Sequence, residues 1–126
     1  MARIMLFDRK EERRRTIKAV FEMNEHEIFE VADIAQAWAM MQHRMSQPDL
    51  IICVYPQEDL PLFFFNKDRG VYRRIPVIFL LEQREIKEEE MKARLIKDYY
   101  QSLRIPVNLD KLLAKAEEML SKAACK

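Results

Sequence analysis

Short apolar runs alternate with amphipathic segments along the chain. The run "RIMLF" is followed by a charged stretch in which Ile17, Val20 and Phe21 recur at helical spacing. The run "EIFEVA" comes next, and Asp33 is a suitable N-cap for a helix that Pro48 ends. This pattern predicts a strand, a helix, a second strand and a second helix.

The middle of the chain carries two unbroken apolar runs, "DLIICVY" and "PVIFLL". Both are rich in Ile and Val, which is typical of parallel strands covered by helices on both faces. The segment "LPLFFFNKDRGVYRR" must cross over between them, and "REIKEEEMKARLIKDYYQ" then places Met91, Leu95 and Tyr99 one helical turn apart. A brief fifth strand is predicted at "LRIPV", and a last helix begins after the cap residue Asn108.

This alternation predicts five strands and five helices in one domain over residues 1–126. Right-handed crossovers make a flavodoxin-like, doubly wound parallel sheet of strand order 2-1-3-4-5 the expected α/β fold. Hydrophobic residues form 49% of the chain and charged residues 34%, as in a soluble folded protein. The apolar runs are too short to cross a membrane and the start lacks a signal peptide, so we expect a cytoplasmic location.

Composition also narrows the ligands that the chain is expected to bind. With 22 basic and 21 acidic residues, no global field attracts nucleic acid or anionic lipid. Gly70 is the one glycine, so the loop after the first strand offers no phosphate cradle, and no nucleotide or flavin cofactor is expected. The cysteines, Cys53 and Cys125, have neither metal-ligand spacing nor a disulfide pattern.

In a doubly wound sheet the functional crevice lies beyond the carboxyl ends of the strands. There the segments "RIMLFDRKEERRR", "PDLIICV", "IPVIFLLE" and "LRIPVNLDKLLAKAEEML" resemble, in order and over nearly the whole chain, the receiver domain of bacterial response regulators. In that family the first strand ends in two acids that hold magnesium, and the third ends in the aspartate that takes the phosphoryl group. The fourth ends in Thr or Ser, and the fifth carries an aromatic switch residue and a Lys-Pro pair.

Matched to that pattern, the chain keeps Asp8 and Pro106 and departs elsewhere. The departures, from the second acid to the lysine, are Arg9, Val54, Leu81, Ser102 and Ile105. A lone Asp8 beside a cation is a poor magnesium site, and Val54 cannot accept a phosphoryl group. The resemblance therefore implies a degenerate receiver with a filled-in site, no bound metal and no enzymatic activity.

Two further questions concern the carboxylates. Asp8 is expected either to pair with Arg9 or Arg104, or to cap the first helix. Asp49 precedes the third strand, whereas Glu58 and Asp59 follow it in a loop, so none of the three ends an apolar strand opposite Asp8. A receiver phosphorylated at such an atypical site is kept as an alternative.

The preferred hypothesis is a signalling module that acts without phosphorylation, by contact with another protein or an adjacent domain, in a two-component-type pathway. Two surfaces are candidates. The first carries the consecutive rings of Phe63, Phe64 and Phe65. The second is formed by the fourth helix, the fifth strand and the fifth helix, with Met91, Leu95 and Tyr99. Burial of the rings and a simply solvated helical face are the plainer interpretations, and a homodimer is an open alternative.

Two rival classes rest on single residues. An enzyme of this fold would need a catalytic group at a strand end, but His26 and His43 fall near a turn and late in a helix, where exposure to solvent is expected. A redox sensor would use Cys53, but a thiol inside an apolar strand is expected to be inaccessible and to have a raised pKa.

Overall fold

Parallel strands form the centre of the structure. This computed structural model describes residues 2–31, 48–55, 75–81 and 100–124. The elements in those ranges are β1 (Arg3–Phe7), α1 (Glu11–Met23), β2 (Glu27–Val31), β3 (Leu50–Tyr55), β4 (Val77–Leu81), β5 (Tyr100–Arg104) and α2 (Leu109–Ala124). Neither of the two described helices has the length and hydropathy of a membrane span.

The strands pair in the order β2-β1-β3-β4-β5, and every neighbouring pair is parallel. The predicted α/β fold with a parallel sheet is therefore confirmed. The predicted helices between β2 and β3, between β3 and β4, and between β4 and β5 fall outside the described residues, so the full set of five helices stays a prediction.

One face of the sheet packs against both described helices. Successive residues of a strand point to opposite faces, so every second residue of β1, β3 and β4 lies on this side. The main residues of this core are Ile4, Leu6, Ile52, Val54, Ile78 and Leu80 from the sheet, Ile17 and Phe21 from α1, and Leu112, Ala116 and Met119 from α2. All five residues of β4 are buried, as expected of a strand covered on both faces.

The two helices follow their sequence signals. In α1 the predicted apolar residues Ile17 and Phe21 are buried. The predicted cap of α2 is confirmed, because the Lys111 amide donates a hydrogen bond of 3.1 Å to Oδ1 of Asn108. The apolar spacing of each helix therefore determines which face it turns toward the sheet.

The last strand begins and ends earlier than predicted. The sequence places a helix through Gln101 and a strand from Leu103 to Val107, whereas β5 starts at Tyr100 and ends at Arg104. Tyrosine favours strands, and Pro106 has no N–H to donate to a sheet ladder, so the strand must lie before it. The Ile105 amide still donates a hydrogen bond of 2.9 Å to the Leu81 carbonyl, directly after the last residue of β5.

Candidate functional site

The carboxyl edge of the sheet brings several of the predicted site positions together. Asp8 directly follows β1, and the register pairs Phe7 with Cys53, so Asp8 and Val54 are the next neighbours on the two strands. Leu81 ends β4 and is bonded through its carbonyl to the amide of Ile105. The sheet thus places Asp8 beside Val54 and Leu81 beside Ile105.

The alternation of side chains divides these positions between two faces. Val54 belongs to the core against α1 and α2, in the same row as Leu80. Leu81 is one residue further along β4, so it shares the opposite face with Val77 and Phe79. Asp8 and Val54 therefore form the centre of the candidate site, whereas Leu81 points to the other side of the sheet.

Asp8 is a buried carboxylate held by an arginine. Its side chain has no exposed surface, and Arg13 donates two hydrogen bonds to it, from Nε to Oδ2 at 2.6 Å and from Nη2 to Oδ1 at 2.8 Å. The Lys10 amide donates to Oδ1 at 2.9 Å, and Nη1 of Arg14 donates to the Asp8 carbonyl at 3.0 Å. Bidentate pairs of this kind are among the strongest hydrogen-bonded contacts in proteins, so Asp8 ties the end of β1 to the first turns of α1.

This arrangement corrects the sequence prediction for Asp8. The prediction named Arg9 or Arg104 as the partner of Asp8, but the bidentate partner is Arg13. Arg9 is exposed, and the side chain of Arg104 is not among those that the structure describes. Asp8 does not cap α1 either, since the N-cap position belongs to Lys10 and has no side-chain cap. A sequence signal for Arg13 existed: it lies four residues before Ile17 and eight before Phe21, which puts it on the buried stripe of the helix.

Val54 is part of the apolar core. Its side chain is 1% exposed and lies in the cluster that contains Ile52 and Leu80. A residue in this environment offers neither a nucleophile nor a metal ligand. Pro106 is exposed, and Ser102 lies within β5, where its side chain is outside the description.

A cavity of about 280 Å³ opens beside the site, between α1 and the segment after β5. Its polar lining includes Lys10, Arg13 and Thr16, and its apolar lining includes Ile105, Pro106 and Val107. Arg13 thus lines the cavity while its guanidinium holds the Asp8 carboxylate. The two predicted positions after β5, Ile105 and Pro106, thus line this space.

The alternative acceptor Asp49 lies at the opposite edge of the sheet. Its Oδ2 accepts a hydrogen bond of 2.8 Å from the Arg3 amide, and its own amide donates to the Arg3 carbonyl at 2.7 Å. Asp49 therefore fastens the start of β1 to the start of β3, away from Asp8. Glu58 and Asp59 lie outside the described residues.

The residues named for the two predicted interaction surfaces lie outside the described part of the chain, although β5 and α2, which also belong to the second surface, are described. These residues are Phe63, Phe64, Phe65, Met91, Leu95 and Tyr99. Both surfaces stay predictions. Within the described ranges Met23, at the end of α1, is the one large apolar side chain that is strongly exposed, at 83%.

The sequence predicts that His26 is exposed to solvent, and this prediction is wrong. Its side chain is 12% exposed, and its ring packs at a centroid distance of 6.0 Å from Phe21. The reason is the turn after α1, in which Glu25 adopts a left-handed conformation (φ 67°) and the His26 amide bonds back to the Phe21 carbonyl at 3.0 Å. His43 lies outside the described residues.

Cys53 is buried in β3, on the face opposite Val54, and its burial raises the pKa of the thiol far above the usual range. The expected burial is therefore confirmed.

In the Cys125→Ser variant, which leaves Cys53 as the only thiol, we expect a thiol reagent to label the folded protein at least about 100-fold more slowly than the urea-unfolded protein. Labelling at similar rates in both states would instead mark Cys53 as accessible and favour the redox alternative.

Among residues 2–31, 48–55, 75–81 and 100–124, no three His, Cys, Asp or Glu side chains gather into a group that could hold a metal ion. Asp8 is the one buried charged residue in those ranges, and its carboxylate is already bound by a cation. The described carboxyl edge of the sheet therefore carries the Asp8–Arg13 ion pair next to the apolar side chain of Val54.

Comparison with solved structures identifies the fold. The chain superposes on a response regulator receiver domain protein from Clostridium thermocellum with a TM-score of 0.81 and 16% identity, covering 99% of this chain and 98% of that one. The receiver domain of an HD domain-containing protein from Pseudomonas fluorescens Pf-5 gives 0.79 and 20%, covering 98% of each chain. NtrX from Brucella abortus, solved with ADP, gives 0.80 and 19%, covering 98% of this chain but only 27% of NtrX.

Sequence comparisons add no closer assignment. No protein-family model matches the chain, and no curated protein matches it. At such low identities the structural likeness establishes the fold alone. The chain has the α/β fold of response regulator receiver domains.

Proposed function

We propose that the chain is a degenerate receiver domain that acts as a signalling module without being phosphorylated. It would carry the full flavodoxin-like set of five strands and five helices and work in the bacterial cytoplasm, within a two-component-type pathway. The likeness to receiver domains supports the class of module. The resemblance of the segment "PDLIICV" to the third strand of the family, in which Val54 corresponds to the phosphoacceptor, supports the loss of phosphorylation chemistry.

The observation that carries this proposal is the closed pair of Asp8 and Arg13. A magnesium ion would need several oxygen ligands in octahedral geometry. Here the Arg13 guanidinium donates to both oxygens of the buried Asp8 carboxylate, and the Lys10 amide donates to one of them. A divalent cation would meet a positive charge in its place, so these residues do not fit the metal.

Val54 supports the same conclusion from the side of the nucleophile. Phosphoryl transfer to a protein needs an oxygen, nitrogen or sulfur atom that can form the new bond to phosphorus. The side chain beside Asp8 is instead an isopropyl group packed into the core with Leu80. The edge of the sheet therefore retains the geometry of the receiver fold with an apolar residue at this position.

The proposed activity is binding to another protein or to an adjacent domain. The similar domain from Pseudomonas fluorescens belongs to a larger HD domain-containing protein, and the chain matches about a quarter of NtrX. Receiver folds thus occur within larger proteins, which supports contact with a neighbouring domain. A homodimer is included in the proposal as one form of such contact.

Phosphorylation is tested directly by incubation with a small-molecule phosphodonor. With and without magnesium, we expect the intact mass of the protein to stay unchanged, because Val54 is no acceptor and Asp8 is occupied. A receiver domain with the family's phosphoacceptor aspartate serves as the positive control for the reagent. A magnesium-dependent gain of one phosphoryl group would overturn the proposal and point to an atypical acceptor.

A further inference from the structure

His26 joins three elements at the amino-terminal edge of the sheet. Its Nδ1 lies 3.4 Å from the amide nitrogen of Ala2, which precedes β1, and accepts a hydrogen bond from it. Its Nε2 lies 3.6 Å from Oε1 of Glu117 on α2, and its ring packs on Phe21 of α1. One largely buried ring therefore contacts the start of β1 and both described helices.

These contacts define the tautomer of the neutral ring. Because Nδ1 accepts a hydrogen bond from Ala2, it carries no proton, and the single proton of the neutral imidazole must be on Nε2. That proton faces the Glu117 carboxylate. In the imidazolium both nitrogens carry protons, so Nδ1–H would oppose the Ala2 N–H while the contact with Glu117 would become an ion pair.

Each element that contacts the ring carries charged residues. They are Glu117 on α2, Glu22 next to Phe21 on α1, Arg3 directly after Ala2, and Glu25 and Glu27 on either side of His26 in the chain. Arg3 is engaged by Glu27, with its Nε 3.9 Å from the carboxylate. Within the described residues, Glu117 is the carboxylate in ion-pair range of the ring, so it is the group that responds to the charge of His26.

We propose that His26 is a proton-operated latch between the start of β1 and α2. When the ring takes up a proton, the Ala2 amide loses its acceptor, and the link to Glu117 strengthens. Imidazole is the side-chain group whose charge can respond to pH changes in the physiological range. The latch is independent of the proposed signalling function.

The effect of the latch is confined to the first contact between β1 and β2. The Ala2 carbonyl accepts a hydrogen bond of 2.8 Å from the Glu27 amide, so loosening Ala2 weakens that bond first. The next residue, Arg3, is fastened to Asp49 by hydrogen bonds in both directions. Protonation should therefore open the Ala2–Glu27 contact and leave the rest of β1 in place.

Amide hydrogen exchange measured by NMR at pH 7.5 and pH 5.5 tests this proposal. After correction for the intrinsic exchange rate, we expect the protection factor of the Glu27 amide to fall about three- to tenfold at the lower pH, as loss of one hydrogen bond would give. The amides of Leu6 and Ile52 should not change. The ring ¹⁵N shifts should show a proton on Nε2 and none on Nδ1 at pH 7.5.

Two variants separate the latch from a general effect of acid. In His26→Gln the side chain can still accept from Ala2 but cannot titrate, so the fall at Glu27 should disappear. In His43→Gln, which removes the only other histidine, it should persist. The proposal fails if Glu27 is equally protected at both pH values, if Leu6 and Ile52 lose protection in parallel, or if Nδ1 carries the proton at pH 7.5.

Discussion

The variant Arg13→Ala is expected to lower the free energy of unfolding by about 3–5 kcal/mol, as breaking one side of a buried ion pair does. The Asp8 side chain has no exposed surface and accepts two hydrogen bonds from the guanidinium. Without Arg13 the carboxylate stays buried with the Lys10 amide as its remaining described donor. Urea unfolding at neutral pH, followed by circular dichroism, measures the change.

A neighbouring arginine of α1 provides the matched control. Arg15 forms an ion pair with Glu11 at 2.7 Å, but both side chains are mostly exposed, so Arg15→Ala should change stability by less than about 0.5 kcal/mol. The double variant Asp8→Ala/Arg13→Ala should be more stable than the sum of the two single effects predicts, because it leaves no buried charge behind. If Arg13→Ala and Arg15→Ala cost the same, the Asp8 pair does not hold β1 to α1.

The fold could be predicted from the sequence where burial is nearly complete. β1, β3 and β4 lie inside the sheet, and their unbroken apolar runs identified them with bounds correct to about one residue. β5 lies at the edge of the described sheet and has a mixed sequence, "YQSLR". Its periodicity is weak, so the helical pattern before it was extended too far and the strand was placed too late.

The candidate site was predicted in part. The position of Asp8 beside Val54 follows from strand ends and register, which the sequence pattern indicates. The spacing from Ile17 and Phe21 puts Arg13 on the buried stripe of α1, but its contact with Asp8 also depends on the direction in which α1 leaves the loop after β1, and that direction is set by packing. The contacts of His26 with Ala2 and Glu117 join residues far apart in the chain, and no local pattern predicts them.

The Asp8–Arg13 pair and Val54 are best understood together. The carboxylate and guanidinium neutralise each other, and the adjacent strand presents an apolar side chain to the core. A second carboxylate beside Asp8 would have to share the guanidinium that Asp8 already engages. The apolar side chain of Val54 and the presence of Arg13 are therefore mutually consistent, and the pair predicts how the protein responds to a new carboxylate at position 54.

Placing an acid at position 54 should consequently destabilise the protein. For Val54→Asp we expect a loss of about 4 kcal/mol at pH 7.5, since the position is 1% exposed and a charge there lacks its own partner. Val54→Ala removes volume without adding polarity and should cost about 2 kcal/mol. Val54→Asn adds polarity with the shape of Asp but no charge, and is the closest control.

The pH dependence of the free energy of unfolding distinguishes the effect of the new charge in Val54→Asp from the effect of the changed side-chain shape. Burial raises the pKa of a carboxyl group, so the new Asp in native Val54→Asp should keep its proton. In the unfolded chain the same side chain has an ordinary Asp pKa of about 4 and has lost that proton. The native state then binds more protons, and its stability falls as pH rises, by up to about 1.4 kcal/mol per pH unit. Urea unfolding should show the gap between Val54→Asp and Val54→Asn widening from pH 5 to pH 7.5. Equal stability of the two variants at both pH values, together with magnesium-dependent phosphorylation of Val54→Asp, would mean that the site still accommodates a carboxylate and that its closure by Arg13 is readily reversed.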